Sequence, residues 1–222
     1  MLQPGFEILR WWVRSPLIRL LLGAGAIWLL SLSVGLLSPT SARLLLGRGL
    51  GYFVWIAGPF LLHELTGGER GALLVVRPIR RTFLLLTLWF AALLGWAFFL
   101  LAFGLPAVAV SGNLSVAWIG LLWVELAVYT AVILTLWLWT RRVYLAIGLN
   151  FLVHVLDYMH DRALQRGMGW PLLEYLLPAG TELSRIVHAW PVDVPPMMFV
   201  LVVTSTLVWL GLALWRIRTM EF

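Results

Sequence analysis

The sequence predicts an all-α, polytopic membrane protein with six transmembrane helices, and three observations lead there. Of its 222 residues 62% are hydrophobic and only 12% charged, with a mean hydropathy of +0.95; a soluble domain carries about twice that share of charge. Apolar stretches of roughly 20 residues recur along the chain, each long enough at ~1.5 Å per residue to cross the hydrocarbon of a bilayer. The basic residues are all arginine, and they gather at the ends of those stretches, where positive charge sets topology. The net charge of +6 is therefore read as membrane sidedness, and nucleic acid is not expected as a partner. With no cysteine, neither a disulfide framework nor a thiolate metal site is available.

Residues 3–16 place Phe6, Leu9 and Val13 on one helical face beside Trp11, Trp12, Arg10 and Arg14, which predicts an interfacial elbow helix. Glu7, the two tryptophans and Arg14 precede the first apolar run and no small-residue cleavage site follows it, so no removable signal peptide is expected. Residues 17–37 form the first span, ended by Ser38-Pro39-Thr40. Residues 44–64 form the second, made irregular by Gly47, Gly49, Gly51, Gly58 and Pro59. After a polar interruption at 65–81 the third span, 83–103, is almost free of polar side chains. Gly104 to Gly112 is expected to be a short loop.

The fourth span covers 114–139 and the fifth 143–160, with only Thr140-Arg141-Arg142 between them. They must be antiparallel neighbours. Residues 161–195 mix seven charged side chains with apolar residues and four prolines, too broken to span, and are expected to form short helices in the interface. The sixth span, 197–215, stops at Arg216-Ile217-Arg218. Six spans put both termini on one side with eleven of the arginines, against five on the other. The positive-inside rule makes that side cytoplasmic. No repeat or linker divides the chain, so 1–222 is expected to be a single transmembrane domain.

Two polar constellations stand out. In the fourth span Glu125 lies well inside the membrane, where a charge costs ~2.5 to 3.5 kcal/mol on insertion scales and must be neutral, paired or beside water. In the fifth, His154, Asp157, Tyr158 and Asp161 share one face. Counted from the arginine turn, Glu125 is level with Asp157, so Glu125, Tyr129, His154 and Asp157 are expected to form one cluster, either a knot between helices or the lining of a path. A metal site on the His154 face lacks a second ligand motif such as H-E-x-x-H. Ser111 lacks the setting of a nucleophile.

The other constellation is the interruption itself. Glu69-Arg70-Gly71-Ala72-Leu73, followed by Arg77-Pro78-Ile79-Arg80-Arg81, resembles the "E-R-x-G-T-L … R-P-[VI]-x-R" signature of permease subunits in the type-2 ABC exporter family, with Ala72 where threonine is common. The resemblance implies that residues 65–81 form a cytoplasmic coupling segment, with Glu69, Arg70, Gly71, Leu73, Arg77 and Pro78 contacting an ATPase subunit. It also implies an elbow helix, a plasma (inner) membrane location and a second permease copy or paralogue. Between spans five and six it implies broken re-entrant helices forming an outer gate, with Pro178 and Gly180 at the bend and Glu174 and Glu182 facing water. The phosphate loop G-x-x-x-x-G-K-[ST] cannot occur in a chain without lysine, so ATP and magnesium belong to the partner ATPase and no cofactor or catalytic residue is expected here. Such a chain would export a hydrophobic or amphipathic substrate and contact membrane lipid. A non-transporting scaffold that docks an accessory protein, or a membrane-embedded metal enzyme, are the alternatives.

Overall fold

The computed structural model describes residues 15–66, 81–111, 115–168, 170, 177 and 195–219. Among them every regular element is helical: α1 Pro16–Ser33, α2 Pro39–Thr66, α3 Arg81–Phe99, a π segment Leu100–Gly104, α4 Leu105–Ser111, α5 Val116–Thr140, α6 Val143–Leu164 and α7 Pro196–Thr219. With α3, the π segment and α4 running on as one rod, six helices are long and apolar enough to cross a membrane. The exposed faces agree, for Leu20, Ile27, Phe98, Phe151 and Leu207 all turn outward. In water such surfaces would aggregate; in a bilayer they meet lipid. This is the architecture of a multi-pass membrane protein.

Several boundaries differ from the expected ones, each for a local reason. Helix α1 stops at Ser33, short of Leu37, because Gly35 takes φ +75°. The amides of Gly35 and Leu36 then return to the carbonyls of Leu32 and Ser31 at 3.1 and 2.9 Å. That is a Schellman closure. Ser38 then caps α2, its Oγ accepting from the Ser41 amide at 3.1 Å, and Pro39 opens the helix where its missing N–H costs nothing. Ser38-Pro39 thus starts α2, five residues ahead of the expected Leu44.

Helix α2 runs unbroken to Thr66 in spite of its glycines and Pro59. In hydrocarbon an interrupted backbone has no water to bond, so a spanning segment keeps its helix. Gly58 serves packing instead: a Cβ there would stand 3.1 Å from Ile133 of α5. The loop expected at 104–112 is helical as far as Ser111. Pro106 has no N–H to give and its ring crowds the carbonyl of Ala102, so the helix opens into the π segment and then resumes. Helix α6 continues past His160 to Leu164 and closes on a second Schellman turn, with Gly167 at φ +71° and Met168 N bonded to Ala163 O at 2.9 Å. Helix α7 carries Arg216 and Arg218 in its last turn, beyond the expected end at Trp215. The elbow helix lies outside the described residues but for Ser15 and Pro16, as does most of the segment between α6 and α7.

Helix α5 is the axis. It packs against α2, α3, α6 and α7, and Trp118, Leu122, Leu126, Val128 and Leu134 on it are fully enclosed. Because lipid is as apolar as leucine, burial alone does little to hold such helices together; close packing and interhelical hydrogen bonds do that. Indoles supply several of them. Trp123 of α5 donates to the Leu93 carbonyl at 3.0 Å, and Trp96 of α3 donates to Thr130 Oγ1 at 3.1 Å. On the opposite flank Thr135 Oγ1 reaches the Trp209 carbonyl of α7 at 2.8 Å. Each bond uses the spare lone pair of a helical carbonyl or hydroxyl, leaving the helix ladders whole.

The core forms two clusters. The larger joins α1, α2, α3, α5 and α7 around Trp28, Trp55, Trp96 and Trp118. The smaller gathers Leu85, Trp137, Ala146 and Ile217, from the start of α3, the end of α5, the start of α6 and the end of α7, with Leu62 near the end of α2 packed against it. These termini therefore share one end of the bundle. Among the described residues Arg81, Arg141, Arg142, Arg216 and Arg218 stand at that end, and Arg43, Arg48, Arg162 and Arg166 at the other.

Candidate functional site

The two-residue link between α5 and α6 leaves no slack, so the pair is antiparallel and residues equidistant from it sit at equal depth. Arg141 takes φ 53°, a left-handed cap whose amide returns to the Trp137 carbonyl at 2.8 Å. Arg142 then hands its own carbonyl to Ala146 N at 2.9 Å and α6 begins. This turn brings α6 back along α5 with Ala146, Asn150 and Asp157 facing inward.

Glu125 is 3% and Asp157 6% exposed, both within the membrane-spanning windows. Tyr129, one turn from Glu125 on α5, is buried, and its ring centroid lies 6.4 Å from that of His154, one turn from Asp157 on α6. A residue from a third helix joins them. Trp55 of α2 lies 3.9 Å from the His154 ring and 5.2 Å, edge to face, from Tyr129. The indole, phenol and imidazole form an aromatic seam where α2, α5 and α6 meet, with the buried carboxyl residues Glu125 and Asp157 one turn along α5 and α6.

Helix α6 is thus turned with its polar stripe inward and its oily side out. Tyr144, Phe151, Leu152, Leu156 and Met159 are exposed, as the bilayer demands of a helix with one protein-facing stripe. Along the seam Asn150 Nδ2, His154 Nδ1 and Trp55 Nε1 find no hydrogen-bond partner among the described residues. Buried polar atoms are rarely left so.

Tyr158 departs from the face expected for it. It is 46% exposed, and its hydroxyl accepts a hydrogen bond from Arg162 at 2.7 Å, one turn along α6 and outside the seam. Asn150 and Trp55 escaped sequence reasoning. Asn150 stands four residues before His154, so the helical spacing that joined His154 to Asp157 would have found it. Trp55 gives no such signal, because which helix covers the α5–α6 seam is settled only by packing.

A separate cavity of about 60 Å³ opens on the other flank of α5, between α2 and α3, lined by Val54, Gly58, Leu61, Ala92, Trp96 and Ile133 among others. It is almost wholly apolar. The remaining predicted site residues, Glu69, Arg70, Gly71, Leu73, Arg77 and Pro78 of the coupling segment and Glu174, Pro178, Gly180 and Glu182 of the outer gate, lie outside the described residues. Comparison of the chain with protein-family models, curated proteins and solved structures gives no match.

Proposed function

We propose that this chain is the permease subunit of a type-2 ABC exporter, carrying a hydrophobic or amphipathic substrate out of the cytoplasm with ATP hydrolysed by a separate subunit. The observation that carries the reading is the Glu69–Arg81 sequence pattern together with its place, strung between the end of α2 and the start of α3 at the end of the bundle shared with Arg141, Arg142, Arg216 and Arg218. In this reading that end is cytoplasmic in the plasma (inner) membrane, and the segment meets the ATPase. A second permease copy or paralogue completes the pathway.

Contact with a motor drives transport only if the motor favours one conformation over the other. In this scheme ATP binding to the partner moves the coupling segment, and α2 and α3 carry the movement to α5 through Gly58 and the indole hydrogen bonds. The seam of Glu125, Tyr129, His154 and Asp157 either holds the α5–α6 pair rigid or meets the polar end of the cargo. Co-purification tests the proposal: tagged protein is expected to bring down a Walker-motif ATPase whose turnover it stimulates. Glu69→Ala or Arg77→Ala should weaken that association while membrane insertion is kept. Absence of any ATPase from the purified complex would leave the scaffold alternative standing.

A further inference from the structure

The turn between α5 and α6 has a cost that topology does not explain. A left-handed cap is cheap for glycine or asparagine and strained for other residues, yet Arg141 occupies it at φ 53°. Positive charge for sidedness could sit on either flank without strain. A strained residue held by its surroundings is a pointer to function.

Around that turn the described side chains make a basic and aromatic patch. Arg141 and Arg142 are exposed at its tip. Trp139, just before them, is 43% exposed and packs, tilted, at 5.4 Å against Trp215 of α7, which is 57% exposed. The Arg216 guanidinium lies over the Trp139 ring, 5.6 Å from its centroid, and its buried Nε finds no hydrogen-bond partner among the described residues. Indoles facing outward at a helix end mark the headgroup level of a bilayer. A guanidinium packed on such an indole is therefore held at the depth of lipid phosphates, with its planar fork suited to a phosphodiester.

We infer that Arg142 and Arg216, with Arg141 beside them and the Trp139–Trp215 pair as platform, form a binding site for an anionic phospholipid. The arginines take the headgroup phosphate and the indoles flank the first carbons of its chains. Lipid is favoured over a soluble protein partner because Arg216 is packed on an outward-facing indole at the helix end. The inference does not depend on the transport reading.

The test uses the full chain in mixed micelles containing phosphatidylglycerol or phosphatidylcholine with identical chains, bound lipid being counted by native mass spectrometry. The wild type is expected to prefer phosphatidylglycerol at least about twenty-five-fold, since two arginines supply about five-fold each. Each arginine near an anionic surface is worth about five-fold, the equivalent of ~1 kcal/mol. Arg142→Gln with Arg216→Gln should therefore weaken phosphatidylglycerol binding about twenty-five-fold and leave phosphatidylcholine unchanged. Arg142→Lys with Arg216→Lys, which keeps the charge and loses the fork, should fall between. Arg162→Gln with Arg166→Gln removes equal charge from the opposite end and should change nothing. Equal binding of the two lipids by the wild type, or equal losses in both glutamine pairs, overturns the site. So does a glutamine pair that keeps its lipid preference but loses a co-purifying protein. Should the Arg142 and Arg216 glutamine pair fail to insert, the wild-type preference and the lysine pair decide the matter.

Discussion

Helices α5 and α6 are joined by two residues and run side by side, yet 67% of the membrane window of α5 is buried and only 17% of that of α6. Helix α5 has neighbours on all sides, and most of its length is enclosed whether a residue is leucine, threonine or glutamate. Helix α6 has one protein-facing stripe and spends it on Ala146, Asn150, His154 and Asp157, leaving its apolar residues to lipid. Two helices of similar apparent character thus do opposite work: one is a packing axis, and the other delivers polar groups to it.

The largest expected break in this contrast comes from cavity formation. Leu126→Ala in α5, where the side chain is fully buried, should cost ~2 to 5 kcal/mol. Leu152→Ala in α6, half exposed, should cost under about 1 kcal/mol. Thermal unfolding in detergent measures both, and equal losses would deny α5 its axial role.

Overpacking comes next. Gly58→Leu drives a side chain against Ile133 and is expected to cost ~1 to 3 kcal/mol. Gly148→Leu meets open space, with nothing within 4 Å of a Cβ, and by removing a helix-interior glycine should raise stability by roughly 0.5 to 1 kcal/mol.

The seam is sharpened by a double-mutant cycle. Glu125→Gln and Asp157→Asn are expected to couple by roughly 0.5 to 3 kcal/mol if the two carboxylates belong to one network, and to add within ~0.5 kcal/mol if they do not. The smallest effect belongs to Thr135→Val, which removes a hydroxyl bonded across to α7. Such bonds average about 0.6 kcal/mol in a bilayer, so its loss should be just measurable in the same melts.

Much of this architecture was legible in the chain. Length and oiliness announce six spans, and counting from the arginine turn places Glu125 level with Asp157. What misled was punctuation. Gly104 to Gly112 reads as a loop, and the glycines of α2 as irregularities, because in water such residues do disturb helices. In hydrocarbon the backbone has nowhere else to bond, so Pro106 opens a π segment and Gly58 becomes a contact point. Trp55 could not be read at all, since its place depends on how three helices lie together.

The π segment has a consequence for sequence change along this rod. One residue beyond the regular helical count turns everything after it by about 100°, which is how Ala107 of α4 comes to be completely enclosed while α4 lies along α1. Removing a single residue between Leu100 and Gly104 would take out that extra residue and swing the packed edge out toward the acyl chains. A length change of one, harmless in most surface loops, would here misalign the whole of α4 at the end of a transmembrane rod.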